Sequence, residues 1–487
     1  MISIKDILYR VRIIDLIGDV NAPVNAVQLD SRKVQAEAMF VAVKGSLSDG
    51  HQFISKAIEN GARAIVCEEM PPEKTAGITY VTVSNSAEAL GHIASNFYGN
   101  PSDEIKVVGV TGTNGKTTTA TLLYQLFRNL GYSCGLISTV VNKIDELEIP
   151  STHTTPDAVS LQALLRQMVD AGCEFCFMEA SSHAIHQHRV TGLQFTGAAF
   201  TNITHDHLDY HGTFSEYIKA KKALFDKLGR SAFALTNHDD PNGEIMVQNC
   251  PAKVLRYALK SMADYKAKVL ENNLQGLHLI IDGADLYSKL VGSFNAYNLL
   301  LVYAVARELG LDKLEVLTAL SAAEPVDGRF QHFRSQGAIT AVVDYAHTPD
   351  ALENVLKTIK DIRSGNERVI TVVGCGGDRD KTKRPEMAKI AANWSDQVVL
   401  TSDNPRSENP EEIIREMEAG LDPIGKRKTL SLTDRREAIR LACTLAQADD
   451  IILIAGKGHE KYQEIKGVKT PFDDLQIVQE TIQNLGK

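Results

Sequence analysis

The chain has a single tryptophan, and aromatic residues fill only 6% of its 487 positions. Seven cysteines are scattered over that length. An odd, dispersed set fits reduced thiols in a cytosolic protein and argues against a disulfide framework. Positive charge is not in surplus either: 52 Lys and Arg against 61 Asp and Glu leave a formal charge of −9. No general basic field therefore exists to hold a nucleic-acid backbone. Long apolar runs are missing as well, since nowhere do about 18 apolar residues follow one another. The opening stretch is broken by Lys5, Asp6, Arg10, Arg12 and Asp15, which argues against a signal peptide or a membrane span. One close cysteine pair, Cys173 and Cys176, sits in an apolar run with no second pair beside it. The expectation there is core packing, not a metal site.

What remains is an ordinary globular composition, 44% apolar and 23% charged, long enough for about three domains at ~150 residues each. The first hundred residues mix short β-rich runs (AMFVAVKG, ARAIVCEE, ITYVTVS) with helical stretches and end in FYGNPSDEIK, whose Gly, Asn, Pro and Ser read as a linker. From KVVGVTG onward apolar strands alternate with amphipathic helices such as 117–132 and 157–172, the pattern of a parallel sheet covered by helices. A second boundary falls at PVDGRF, and the alternation resumes through ITAVVDYAH, RVITVVGCGG, QVVLTSDNP and DIILIAGKG. The expected fold is α/β with domains 1–100, 101–327 and 328–487, the central one P-loop ATPase-like and the last Rossmann-like.

Directly after KVVGVTG come Gly112, Thr113, Asn114, Gly115, Lys116, Thr117 and Thr118. Glycines let backbone N–H groups turn onto an anion. Lys116 can reach the outer phosphates and Thr117 a magnesium ion, and the following helix adds its N-terminal dipole. The usual pattern has glycine where this chain has Val110, so the case for phosphate rests on strand before and helix after.

Two stretches carry chemistry beside the loop. In FCFMEASSHAIHQHR an apolar run leads into Glu179, a hard oxygen ligand for a metal or simply a capping carboxylate. In FTNITHDHLDYHG, His205, Asp206, His207, Asp209 and His211 resemble a dinuclear zinc motif, but Tyr210 separates the Asp and His that such a motif needs adjacent. Any one of these histidines fits a hydrogen-bonded loop position as well as a metal role.

GTNGKTT, MEASSH, TNITHDHLDYHG, GSFNAYN, GRF, DYAHTPD, GCGGDRDKTKRP, DNPR and GKGHE, in that order, resemble the ATP-dependent Mur ligases, and the match extends back to DSRKV near the N-terminus. The resemblance implies a UDP-sugar domain, a central ATPase and a C-terminal amino-acid domain. It implies ATP as substrate, Mg2+ as cofactor, a monomer, and addition of the third residue of the peptidoglycan stem peptide. The D-glutamyl carboxylate of UDP-MurNAc-L-Ala-D-Glu takes the γ-phosphoryl group, and an amine then displaces phosphate. Carried onto this chain, the catalytic residues are Lys116, Glu179, His207 and Lys221. Thr117, Glu179, His207 and Lys221 serve the metal, the last as a carbamate. ATP is held by residues 112–118 with Asn295 and Arg329. The UDP-sugar peptide is held by Ser31, Thr154, Thr155, Ser181, Gln187 and Arg189. By its own pattern Lys221 is only one lysine on an amphipathic helix, ordinarily a solvated position.

Loops at the carboxyl ends of parallel strands share one edge of the sheet. Arg379, Asn404, Arg406 and Glu460 are therefore expected to converge on one ligand, and the resemblance adds Asp403, Pro405 and Gly456 to that amino-acid site. Two arginines and a glutamate suit meso-diaminopimelate, with a second carboxylate and a distal ammonium; L-lysine would leave Arg406 unmatched. Lysine as acceptor stays open as the alternative. So do another ligase of the superfamily, such as a folylpolyglutamate type, and a nucleotide-driven switch or transport ATPase.

Overall fold

The computed structural model describes residues 2–45, 48–151, 153–363 and 365–487. The chain divides into two compact units. One comprises residues 1–112, 119–202 and 215–257; the other comprises 113–118, 203–214 and 258–487.

The first unit begins with a five-stranded sheet. Its strands are β1 (Ile13–Ile17), β2 (Ala26–Gln28), β3 (Ala38–Val41), β4 (Ala62–Cys67) and β5 (Thr79–Val83), in the order β1-β5-β4-β3-β2 with β1 antiparallel. Helix α1 (Ser86–Phe97), capped by the Asn85 side chain, lays Leu90 and Ile93 on one face of it. The stretch read as a linker is a packed turn. Asn100 takes a left-handed φ of 52°, Pro101 and Ser102 are buried, and the Ser102 hydroxyl accepts the Gln194 N–H at 3.0 Å.

A second sheet follows. Its elements are β6 (Lys106–Thr111), α2 (Lys116–Asn129), β7 (Cys134–Ile137), β8 (Val141–Ile144), β9 (Leu147–Pro150), α3 (Ala158–Asp170), β10 (Phe175–Glu179), β11 (Phe195–Phe200), α4 (Phe214–Asp226), β12 (Phe233–Asn237) and β13 (Lys253–Ala258). The strand order is β9-β8-β7-β10-β6-β11-β12-β13. From β7 to β13 every neighbouring pair is parallel, while β8 and β9 form an antiparallel extension. Strands buried on both faces read as unbroken apolar runs, and β10 is fully buried along FCFME. Cys173 and Cys176 are both buried, as core packing requires. The chain moves to one side of β6 for β7 and β10 and to the other for β11, so the carboxyl end of β6 is a topological switch point, where open α/β sheets bind ligands.

In the second unit an antiparallel meander of β14 (Tyr265–Asn273), β15 (Gly276–Ile281) and β16 (Ala284–Ser288) precedes α5 (Ser293–Glu308). This meander departs from the strand–helix alternation expected throughout 101–327. Then come β17 (Gln331–Arg334), β18 (Thr340–Asp344), α6 (Pro349–Ile362), β19 (Val369–Cys375), α7 (Lys383–Trp394), β20 (Gln397–Ser402), β21 (Thr429–Leu432), α8 (Arg435–Leu445), β22 (Ile451–Ala455), β23 (Tyr462–Ile465), β24 (Val468–Pro471) and α9 (Asp474–Asn484). The sheet order is β17-β18-β22-β19-β20-β21, parallel except for the edge strand β17. Helices α6 and α7 cover one face through Leu352, Leu356 and Met387. Helices α8 and α9 cover the other through Ile439 and Ile477.

Candidate active site

In the first unit the site starts at Gly112, immediately after β6. Its φ is +151°, and a Cβ there would fall 1.9 Å from Thr201 Oγ1 and 2.9 Å from the Asn202 carbonyl at the end of β11. Only glycine fits so close an approach. Val110, where the usual phosphate-loop pattern has glycine, is a buried residue inside β6 itself, so the departure falls before the loop begins. The Gly112 carbonyl accepts a hydrogen bond from Lys221 Nζ at 2.6 Å. Lys221 lies on α4 with 1% exposure, its Nζ 4.6 Å from the Tyr217 ring centroid. The helical pattern alone places this lysine in solvent, and the fold corrects that expectation.

Glu179 ends β10, directly beside Val110 of β6 in the parallel register. It is fully buried, and its Oε1 accepts the Thr139 N–H at 2.7 Å. The Thr154–Thr155 loop gathers here. The Thr155 hydroxyl donates to the Glu179 carbonyl at 2.8 Å and accepts the Ser181 N–H at 3.2 Å, and Thr139 Oγ1 donates to Thr154 Oγ1 at 3.0 Å. Arg189 donates to the Thr155 carbonyl at 3.0 Å and twice to Gln187 Oε1, at 3.0 and 2.6 Å. Thr154, Thr155, Ser181, Gln187 and Arg189 thus form one polar cluster. Ser31, buried in the short 3-10 turn Ser31–Lys33, has no described hydrogen bond to it.

The second unit holds Thr113–Thr118. Gly115 has φ +85°, and Lys116 Nζ turns back to the Thr113 carbonyl at 2.7 Å. The Thr204 N–H donates to the Thr113 hydroxyl at 3.0 Å. The Asp350 carboxylate, in the first turn of α6, accepts from Asn114 Nδ2 at 2.8 Å and from the Thr204 hydroxyl at 2.9 Å. Arg329 donates to the Thr117 hydroxyl at 3.2 Å and stacks over the Tyr345 ring, 4.5 Å from its centroid. Asn295 is turned into its own helix, donating to the Val291 carbonyl and accepting from Asn298.

The histidine-rich segment does not gather as a zinc cluster would. His205 stacks on Phe214 at 4.5 Å, His211 meets Tyr210 edge-on, and His207, with left-handed φ of 54°, pairs with Asp206 at 3.3 Å. Among the described residues no three His, Cys, Asp or Glu side chains form a metal-holding group. Burial disfavours the charge on Asp206, yet the pull of His207, His347 and Lys116 holds its carboxyl below the usual range.

A polar cluster forms where the C-terminal loops leave the carboxyl edge of their sheet. Asn404, 1% exposed, donates to Glu460 Oε2 at 2.7 Å, and its Oδ1 accepts from Lys457 Nζ at 3.0 Å and from the Glu464 N–H at 2.9 Å. Arg406, at φ 51°, donates to the Gly377 carbonyl at 2.7 Å and lies 3.8 Å from Glu464. A Cβ on Gly376 would sit 2.9 Å from Arg406 and 3.8 Å from Arg379 Cγ, and one on Gly377 would strike the Pro405 carbonyl. A Cβ on Gly456 would lie 2.6 Å from Asp403 Oδ2. Arg379, Asp403, Asn404, Pro405, Arg406, Gly456 and Glu460 are therefore neighbours, as the strand-end argument expects. Burial and the nearby Asp403 push the Glu460 carboxyl up, against the pull of Lys457. Asp350, Lys457 and Glu464 escaped the sequence reading. Asp350 and Lys457 lie inside the conspicuous stretches DYAHTPD and GKGHE, which mark the loops and not the direction of these two side chains.

Family models match three stretches of the chain: "Mur ligase family, catalytic domain" over residues 23–98, "Mur ligase middle domain" over 110–306, and "Mur ligase, glutamate ligase domain" over 328–458. A curated protein of Cytophaga hutchinsonii, named UDP-N-acetylmuramoyl-L-alanyl-D-glutamate--2,6-diaminopimelate ligase, is 58% identical over 486 residues, covering 100% of both chains. A solved structure with the same enzyme name aligns with a TM-score of 0.70 at 34% identity, covering 100% of this chain and 99% of that one. The MurF ligase from Thermotoga maritima in complex with ADP aligns at a TM-score of 0.60 and 21% identity over 94% of this chain and 97% of that one, a likeness of fold.

Proposed function

This chain belongs to the Mur ligase family, and we propose that it joins meso-diaminopimelate to the D-glutamyl carboxylate of UDP-MurNAc-L-Ala-D-Glu at the expense of ATP. The observation that carries the choice of acceptor is the meeting of Asn404, Arg406 and Glu460 on one sheet edge. That set offers a carboxylate for an ammonium and a guanidinium for a carboxylate, which is the charge pattern of a diamino dicarboxylic acid.

The reaction runs in two steps. A D-glutamyl carboxylate oxygen attacks the γ-phosphorus of ATP and ADP leaves, giving an acyl phosphate. The neutral amine of the acceptor then attacks the acyl carbon, phosphate departs and the nitrogen loses a proton. Phosphoryl transfer between two anions depends on positioning and on neutralised charge. Lys116 and the N–H groups of residues 112–118 serve the phosphates, with Arg329 beside Thr117 and with Asn295. Ser31, Thr154, Thr155, Ser181, Gln187 and Arg189 serve the UDP-sugar peptide. Arg379, Asp403, Asn404, Pro405, Arg406, Gly456 and Glu460 serve the acceptor. We set the domain boundaries at 100 and 327, supported by the gaps between the three family matches.

The donors suit magnesium: the Glu179 carboxylate and the Thr117 hydroxyl are hard oxygen ligands, with the His207 imidazole as a further donor. When bound, Mg2+ would neutralise phosphate charge and polarise the phosphoryl group. Lys221, buried with its Nζ on a backbone carbonyl, is suited to a carbamate. Its deprotonated amine adds to CO2 and loses a proton, which turns a nitrogen donor into an oxygen ligand. We place the enzyme in the cytoplasm, where ATP and UDP-linked precursors are found, and read it as a monomer. Among the described residues no helix is long and apolar enough to cross a membrane.

Phosphate release from ATP in the presence of UDP-MurNAc-L-Ala-D-Glu tests the proposal, with meso-diaminopimelate and L-lysine compared as acceptors. Turnover with diaminopimelate is expected. A preference for lysine would overturn the charge-matching argument and keep the ligase. Equal release without any acceptor would point to the switch or transport reading.

A further inference from the structure

The Lys457 side chain, beside Asn404 and Glu460, is wholly shielded from solvent, and the loop is built to put it there. Gly456 and Gly458 flank it at φ +116° and +51°. A Cβ at the first would press on Asp403 Oδ2 at 2.6 Å, and one at the second on Tyr345 Cβ at 2.7 Å. Side chains at either place would hold the loop away from its neighbours and swing the lysine out. Inside, Lys457 Nζ donates to Asn404 Oδ1 at 3.0 Å, reaches Glu460 Oε2 at 3.5 Å, and lies 5.5 Å from the Tyr462 ring centroid.

These contacts fix two groups at once. Asn404 Oδ1 takes donors from Lys457 and from the Glu464 N–H, so its Nδ2 must face Glu460. A flipped amide would set NH2 against two donors. Glu460 Oε2 is then occupied by both Asn404 and Lys457, while no hydrogen bond to Oε1 is described. We propose that Lys457 is a positioning residue for acceptor selection: it locks the Asn404 amide and holds Glu460 by Oε2, with Oε1 left to receive the distal ammonium of the diamino acid. The inference rests on the acceptor site proposed above and adds a residue that need not touch the substrate.

The charged and titratable groups around Glu460 make the idea testable by pH. Asp403, at the end of β20, raises the Glu460 carboxyl and Lys457 lowers it. Tyr345 after β18 and Arg435 on α8 also interact with it. Removing the Lys457 charge leaves burial and Asp403 opposed by the Asn404 hydrogen bond but no longer by the lysine, so Glu460 would ionise at higher pH.

The test is Lys457→Met in the full-length enzyme, with phosphate release measured from pH 6.5 to pH 9 against both meso-diaminopimelate and L-lysine. For whichever diamino acid the unmodified enzyme uses, KM is expected to rise, most at the acid end of that range, where Glu460 of the variant is least ionised. The rise should shrink toward pH 9 as Glu460 ionises, with KM for ATP unchanged. Lys457→Ala supplemented with ethylamine should recover part of the lost affinity if the missing ammonium is the cause. A KM rise equal at all pH values, an equal loss in the ATP KM, or no ethylamine rescue would overturn the inference. Unmodified enzyme that prefers lysine would defeat the choice of diaminopimelate and leave the Lys457 comparison readable.

Discussion

Lys221 Nζ donates to the Gly112 carbonyl at 2.6 Å, joining a helix to the start of the phosphate loop across 109 positions of sequence. Lys221 is 1% exposed and its amine is held over the Tyr217 ring.

Lys221→Met keeps the length and apolar character of the stem and removes the amine. Turnover is expected to fall at least about a hundredfold, as for loss of a group that organises transition-state charge, with the fold intact by thermal melting. Stripping CO2 and bicarbonate from the buffer should slow the unmodified enzyme and leave the residual rate of the variant untouched. If both respond alike to CO2, the carbamate has no place at this residue.

Arg406→Ala tests the acceptor pocket. The guanidinium is 22% exposed and anchored on the Gly377 carbonyl, so it is already aimed before substrate arrives. Its removal leaves the second carboxylate of diaminopimelate without a partner. A loss in kcat/KM of about a hundredfold is expected from a charge-assisted bond of this kind. The loss should fall on the KM for diaminopimelate, with the KM for ATP within about twofold of the original, a remote site acting independently. Unchanged selectivity between diaminopimelate and lysine would sink the charge-matching argument.

Much of this site could be read from the residues in order. The strand KVVGVTG and the helix after it are where the pattern puts them. Four apolar runs beyond Gly328 became parallel strands whose carboxyl ends bring Arg379, Asn404 and Glu460 together, because strand direction alone fixes which edge a loop occupies. Lys221 was not legible: whether a lysine on a half-apolar helix is solvated depends on what lies above it, and that is Gly112, far away in sequence. Lys457 hid for a similar reason, since flanking glycines show that a loop is tight and not which way its side chain points. The meander of β14 to β16 was missed because YKAKVLENN and ADLYS bury few residues, so their apolar signal is weak.

Glu408 links the loop of Arg379 to the loop of Arg406. Arg384, itself fully buried, grips both its oxygens at 2.9 Å, and the Asp378 N–H donates to it at 2.6 Å. Arg384 first of all holds the Glu408 carboxyl down at about 2. A carboxyl depressed in the folded state stabilises the protein above its unfolded value near 4.3 and loses that contribution as pH falls through the folded value. Glu408→Gln is expected to lower the melting temperature by a few degrees at pH 7. The gap should stay constant down to about pH 5 and close progressively toward pH 2. A gap independent of pH over that range would mean that shape, and not charge, is what Glu408 contributes.

Arg435 and Asp474 form an ion pair with both side chains at 0% exposure. The guanidinium donates to the two carboxylate oxygens at 2.9 and 2.6 Å and, through its second nitrogen, to the Ala455 carbonyl at 3.1 Å. The pair ties the start of α9 to the start of α8 at the end of β22, directly behind the Gly456–Glu460 loop. Such a pair costs about as much to desolvate as it returns, but removing one partner strands a buried charge and costs about 3–5 kcal/mol. Asp474→Asn and Arg435→Met are each expected to destabilise the unit strongly in urea unfolding. The double variant Arg435→Met with Asp474→Leu should be far less damaged than the sum of the two single effects, because no uncompensated charge remains. Its acceptor KM should still rise, since the Ala455 carbonyl has lost the donor that fixes the strand end. Strict additivity in stability would show that the two side chains act separately, and an unaltered KM would show that the loop before Glu460 is held by its glycines and Lys457 alone.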